Sequence, residues 1–336
     1  MSEPQRETRF ADMSSVPWHQ RTNDWAIQAN GLVKRYSGRT VLNGLNLHVP
    51  RGGVHGLLGP NGSGKTTSIR ILLGLVRANG GEAKILGQTV PKGLTRVIDE
   101  VGAIVESPKF SPRMSGRHNL NVLADSIGAP ARRVSEVLLE VGLAADADRH
   151  FTQYSLGMKQ RLAIAATLLK RPSVLIFDEP TNGLDPVGIH DIRTTMRGLA
   201  DSGRTVLVSS HILSEIEQIA DSVSIIAGGK VVAEGSMQDF LSDGAPHVRV
   251  RIERALEATD LLRAAGWRVD VDETGLRVSG RSGHLPDAAV IAETLGMANL
   301  WPQELTTRRV SLEQVFLHLT SDVDLGASQS RRRWAS

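Results

Sequence analysis

The run GPNGSGKT, Gly59 to Thr66, sets spaced glycines, a lysine and a hydroxyl in a fixed order. An apolar stretch, Val54 to Leu58, precedes it, and TTSIRILLGLV follows with Ile69, Leu72 and Leu73 at helical spacing. This is the G-x-x-x-x-G-K-[ST] pattern in its strand–loop–helix setting. Gly59, Pro60, Asn61, Gly62, Ser63 and Gly64 form a loop whose backbone N–H groups turn inward around phosphate oxygens. Lys65 supplies a point charge for the β- and γ-phosphates, and the Thr66 hydroxyl is placed to ligate Mg²⁺. Thr67 continues the first helical turn, where the helix dipole adds positive potential.

A cradle for phosphates needs a partner that does chemistry. PSVLIFDEPTNGLDP provides an apolar run, Val174 to Phe177, of buried-strand type that ends in adjacent carboxylates, Asp178 and Glu179. Consecutive residues at a strand end point in different directions. Asp178 is therefore assigned to the metal and Glu179 to the attacking water. In TVLVSSHILSEIEQIAD, Thr205 to Val208 read as a strand, His211 stands at its carboxyl end and SEIEQIAD reads as a helix. In an α/β sheet that edge carries the phosphate loop. No Asn-Lys-x-Asp sequence occurs, so ATP is favoured over a guanine nucleotide.

YSLGMKQR, Tyr154 to Arg161, opens a second apolar-periodic run, LAIAATLL. Ser155 and Gly157 sit at a helix start, where unpaired N–H groups and the dipole suit an anion. One domain thus carries two anion-facing elements.

The elements that position these residues predict an α/β fold: a P-loop core with a helical subdomain, then a smaller α+β unit. The 336 residues hold one large domain and something smaller. No run of about 18 uncharged apolar residues predicts a membrane span. There are no cysteines, which excludes disulfides and thiolate chemistry and fits the cytosol. Residues 1–24 lack an apolar signal core and read as a solvated leader. Residues 25–243 hold the nucleotide-binding motifs, and within them about 107–165 reads as short helices with glycine and proline breaks. Residues 244–322 alternate strand and helix patterns, HVRVRIE, ALEATDLLRAAG, WRVDVDE, LRVSG, PDAAVIAETLG and NLWPQELTT, in a ferredoxin-like order. A final helix, SLEQVFLHL, carries Ser311 and Gln314 at capping-box spacing. Net charge is only +3, and residues 323–336 form a basic tail with three consecutive arginines beside Trp334. No catalytic constellation falls in the second unit.

Together these motifs resemble the nucleotide-binding subunit of ATP-binding cassette (ABC) transporters over roughly Ala26 to Leu241. GPNGSGKTT, VLIFDEP, NGLD (Asn182 to Asp185), SSH and YSLGMKQR correspond to that family's phosphate loop, acidic strand, partner-facing loop, switch histidine and signature. The resemblance implies that Tyr36 stacks on adenine and that a second copy of the chain closes head-to-tail. Ser155 and the backbone of Gly157 then serve the partner's ATP. It further implies an ATPase domain over 25–243 and a separate transmembrane permease, docked by the helical subdomain at about 107–165 with Phe110 and Met114 as contact candidates. No nucleic-acid partner is expected.

Two departures mark a branch. Leu156 and Met158 replace the usual glycine and glutamine of the signature, and Glu106 in VGAIVESPKFSP stands where glutamine is usual, reaching toward metal and water. Both look most like the ATPases of drug, bacitracin and lantibiotic exporters. Two alternatives share the chemistry. An importer ATPase is opposed by those departures. A soluble ABC ATPase acting on ribosomes or DNA is opposed by the single cassette and the lack of long heptads and cysteines.

Overall fold

A computed structural model describes residues 24–106, 109–242, 247–272, 275–280, 286–308 and 316. It divides into two compact units, one reaching to Met237 and one running from Gln238 to His318. The leader up to residue 23, the Ser311/Gln314 capping box and the basic tail with Trp334 lie outside the described residues.

The first unit opens with β1 (Trp25–Tyr36) and β2 (Arg39–Pro50), an antiparallel hairpin. Next come β3 (Gly53–Leu58), α1 (Lys65–Leu72), β4 (Gly80–Ile85), β5 (Gln88–Val90) and β6 (Val101–Ile104). The helical subdomain contains α2 (Gly116–Ser126), α3 (Ala131–Glu140) and α4 (Leu156–Leu168). The chain returns through β7 (Val174–Asp178), α5 (Pro186–Asp201), β8 (Thr205–Ser210), α6 (Leu213–Glu217), β9 (Ser222–Ala227) and β10 (Lys230–Ser236), and α7 (Met237–Ser242) runs from Met237 of this unit into the second.

Two sheets result. One is antiparallel, β2-β1-β4-β5, and the other has the order β10-β9-β3-β8-β7-β6. Pairings β3–β8, β7–β8, β6–β7 and β3–β9 are parallel. Such strands are covered on both faces, which is why β7, β8 and β9 read as nearly continuous apolar runs. Leu57, Ile69, Leu72, Ile176 and Leu207 pack in the core that joins the sheets through α1. Predicted helix 214–221 is shorter than expected and ends at Glu217. Ile219 and Ala220 remain hydrogen-bonded to Ile216, but Asp221 is drawn off to the main chain of Val54 and to Arg197.

The second unit contains β11 (His247–Arg251), α8 (Ala255–Ala264), β12 (Arg268–Asp272), β13 (Gly275–Ser279), α9 (Ala288–Met297) and β14 (Glu304–Arg308). The sheet order β12-β13-β11-β14, antiparallel throughout, is the ferredoxin-like arrangement read from the pattern. Val248, Val250, Leu276 and Val278 face a core closed by Leu262, Ile291 and Leu295. The intervening Arg249 and Arg277 stand opposite each other on the other face. Helix α9 is capped by Asp287, which accepts from Ala289 N, so Pro286 lies before the cap and not inside the first turn.

Candidate functional site

Register brings three strand ends level. Leu57 of β3 lies opposite Ser209 of β8, and Ser209 lies opposite Asp178 of β7. The residues that follow each strand therefore meet at one edge of the sheet, as expected for a crevice at the carboxyl ends of parallel strands. A cleft of about 370 Å³ opens there, lined by the loop residues Asn61, Gly62 and Gly64, by Lys65, Thr66 and Thr67, and by Glu179 and His211. Val41 and Asn182 complete its wall, neither of them singled out from the sequence as cleft residues.

The loop is built to receive oxygens. Gly64 joins it to α1 at φ 114°, a conformation open to glycine and strained for other residues. A Cβ on Gly59 would lie 2.4 Å from the Ile226 carbonyl oxygen, so no larger residue fits there without a shift. Ser63 Oγ is buried with no hydrogen-bond partner, a rare condition that an incoming acceptor or donor would relieve. Lys65 is almost fully buried, and its Nζ donates to Gly59 O at 2.7 Å and Pro60 O at 3.3 Å. The same ammonium lies 3.2 Å from Glu179 Oε1.

Glu179 adopts φ 50°, unusual for a residue with a side chain and characteristic of functional turns. Its N–H donates to Ser209 Oγ at 2.9 Å, while that hydroxyl donates to Asp178 Oδ1 at 2.5 Å. Ser209 thus ties the Asp178 carboxylate to the main chain of Glu179. Glu179 Oε2 accepts from His211 Nδ1 at 2.6 Å. An ionised carboxylate only accepts, so Nδ1 carries the proton and Nε2 donates only when the ring is cationic.

Hard oxygen donors suit Mg²⁺: Thr66 offers a hydroxyl in the cleft and Asp178 a carboxylate beside it. Among the described residues no group of three or more His, Cys, Asp or Glu could hold a metal alone. That fits an ion that takes most of its ligands from phosphate and water.

Other predicted residues lie elsewhere. Tyr36 ends β1, 42% exposed, with Lys34 Nζ 4.7 Å above its ring, and it does not line the cleft. Ser155 caps α4 by accepting from Met158 N at 3.2 Å, and Gly157 packs on Gly188 at the start of α5. Both are outside the cleft formed by their own chain. Glu106 is exposed and paired with Arg70 at 3.0 Å, away from Glu179's partners. Residues 107 and 108 beyond it lie outside the described residues. Phe110 is half-buried and packs edge-on against Phe151 at 5.3 Å, and Met114 is likewise half-buried.

The sequence family described as ABC transporter matches residues 42–182. The chain is 35% identical over 307 residues to the daunorubicin resistance ATP-binding protein DrrA3 of Streptomyces coeruleorubidus, covering 89% of this chain and 97% of that one. The chain belongs to the ATP-binding proteins of ABC transporters. This ABC protein is also 42% identical over 219 residues to the bacitracin transport ATP-binding protein BcrA of Enterococcus faecalis, covering 65% of this chain and 71% of that one. Among solved structures, the ATP-binding subunit of an ABC transporter superposes with a TM-score of 0.56 at 30% identity, covering 64% of this chain and 91% of that one. The ABC protein is an ATPase of the transport class.

Proposed function

We propose that this chain energises export of an antibiotic, peptide or lipid-like compound through a separate transmembrane permease, hydrolysing ATP as it does so. The observation that carries the reading is the Glu179 carboxylate, held between Lys65 and His211 at the mouth of a phosphate-sized cradle. Similarity to bacitracin, lantibiotic and daunorubicin resistance ATP-binding proteins supports export, as do the S-L-G-M signature and Glu106.

In this reading Lys65 exchanges Glu179 for the β- and γ-phosphates when ATP binds, and Tyr36 stacks on the base. Thr66 and Asp178 hold Mg²⁺, which supplies charge neutralisation at the phosphates. The freed Glu179 orients water and takes its proton, and His211, in its cationic form, donates through Nε2 toward the γ-phosphate as charge grows there. Catalysis is then mainly positioning and electrostatics. Ser155 and Gly157, outside their own cleft, complete the cleft of a second copy. Exposed Leu156 and Val187 flank that face. Two composite sites per symmetric dimer follow.

A groove of about 410 Å³, lined in part by Ile98, Glu106, Leu123, Ile127 and Leu169, lies between β6 and the helices α2 and α4. We assign it to a cytoplasmic segment of the permease; on this reading the chain is a peripheral subunit at the inner face of the membrane. Among the described residues no helix is long and apolar enough to cross a membrane.

The test is co-purification. Tagged Glu179→Gln chain, expressed in its native host and solubilised in mild detergent with ATP and Mg²⁺, brings down a multi-span permease in near-equal amount. Ribosomes, DNA-repair proteins or no membrane protein in its place would remove the transport claim and leave the ATPase.

A further inference from the structure

Three hydrogen-bonded rungs cross from the end of β7 to the end of β8. The first is Ser209 on Asp178 and the Glu179 N–H; the second is His211 on Glu179. The third is Thr181 Oγ1, which donates to Glu215 Oε2 at 2.6 Å. Both residues of this third rung are buried, at 6% exposure each, and neither lines the cleft. A buried carboxylate is costly unless its hydrogen bonds are made. The reaction as described above has no use for this one.

Its place in the chain gives it one. Thr181 stands between Glu179 and the loop Asn182–Asp185, whose last residue caps α5 through Gly188 N at 3.0 Å. Glu215 lies in α6, the five-residue helix that follows His211. So short a helix is held by its contacts and not by propensity. Two side chains are among the contacts that hold it. Ile216 fills the space over Gly56 of β3, where a Cβ would lie 2.4 Å from Ile216 Cγ2, and Glu215 ties it to Thr181. No side chain caps its N-terminus. The His211 segment is therefore held on two sides, by Ser210 Oγ accepting from Ile212 N at 2.9 Å and by a bond made to the glutamate loop.

We propose that the Thr181–Glu215 pair is a positioning link, which sets His211 on Glu179 and transmits any displacement of the Asn182–Asp185 loop to the histidine. Thr181 and Glu215 touch no reacting atom; they act through His211. This rests on the ATPase reading above.

The test uses the full chain with ATP and Mg²⁺. Thr181→Val keeps the shape and deletes the hydroxyl; Thr181→Ser keeps the hydroxyl. The expected result for Thr181→Val is a kcat about 10-fold lower, the scale for a slightly misplaced catalytic group, with KM for ATP unchanged. Thr181→Ser restores most of the rate. Thr181→Val and Glu215→Leu combined cost no more than the worse single change, because both break one link. That double variant also removes the unpaired buried carboxylate, which guards against simple unfolding. The ¹⁵N signals of the His211 ring move in Thr181→Val and not in Thr181→Ser. Full kcat in Thr181→Val, or equal losses of kcat and thermal midpoint in Val and Ser alike, would overturn the link. Glu179→Gln runs alongside: if it too keeps its rate, the ATPase reading has failed, and if only it slows, the link alone has failed.

Discussion

Glu179 Oε2 lies 2.6 Å from His211 Nδ1, and the other oxygen of the same carboxylate lies 3.2 Å from Lys65 Nζ. One carboxylate is thus shared by Lys65, proposed to hold phosphate, and by His211, proposed to stabilise it. In the proposed mechanism ATP binding breaks the Lys65 contact before Glu179 is free to act on water. The His211 contact fixes the imidazole through Nδ1 and leaves Nε2 for the phosphate side.

Removing the imidazole should therefore cost rate and leave affinity alone. His211→Ala lowers kcat about 10²-fold, the scale for one preorganised donor, with KM for ATP little changed. Steady-state phosphate release over a range of ATP concentrations checks this. A rise in KM at constant kcat would make His211 a binding residue only.

Tyr36 is placed on the base by resemblance and stands exposed with Lys34 above one face. If its ring stacks on adenine, Tyr36→Ala weakens ATP by about 1–2 kcal/mol, and Tyr36→Phe keeps most of the affinity. Equilibrium binding with a fluorescent ATP analogue reads both. Unchanged affinity in Tyr36→Ala would sink the assignment.

A buried polar chain predicts acid lability. His55 on β3 bonds Ser222 Oγ and Ser224 Oγ, each at 2.8 Å, and Ser224 Oγ donates to Glu234 at 2.6 Å. His48 Nδ1 meets the other oxygen of Glu234 at 3.0 Å. Burial drives the His55 pKa down from 6.5 to about 4 against the opposing pull of Glu234, and His48 lowers it further. The unfolded chain takes up this proton near its ordinary pKa while the folded chain refuses it. Stability is complete above pH 6.5 and falls as pH drops toward 4, by about 3 kcal/mol at most for this one group. Denaturant midpoints between pH 7.5 and 4.5 should fall for the wild type and flatten in His55→Gln. Equal slopes in both would assign the acid sensitivity elsewhere.

Gly59 makes a sharper structural claim. Gly59→Ala drives a Cβ to within 2.4 Å of Ile226 O and 2.5 Å of Ser63 Oγ, so β9 or the loop must move. The expected loss is about 1–3 kcal/mol of stability, together with weaker nucleotide binding. Wild-type thermal midpoint and affinity would contradict the packing described.

The phosphate loop, the acidic strand and His211 were legible because parallel buried strands write themselves as apolar runs, and chemistry sits where such runs stop. The second unit was legible for a different reason: strict alternation in HVRVR leaves Val248 and Val250 to one face. What joins strand to strand was not. Ser209 sits within the quoted SSH but gains its role only through the register that sets it opposite Asp178. Thr181 and Glu215 are 34 residues apart, and nothing in either neighbourhood announces the other. Glu106 shows the converse. The resemblance alone put it near the metal, and the pairing of its carboxylate with Arg70, 36 residues earlier, had no signal in the sequence. The helix of Glu215 was read too long because periodicity continues through Ile219, whereas Asp221 is claimed by Val54 and Arg197.

The most direct test of the central claim is ATP turnover by Glu179→Gln beside the wild type, with nucleotide binding measured on the same samples. The amide preserves the shape but cannot take a proton from water. The account predicts ATP bound at least as well, since Lys65 is released from its pair, and turnover about 10²-fold slower or more. Turnover near the wild-type rate would contradict it, because the carboxylate between Lys65 and His211 would then have no part in the chemistry.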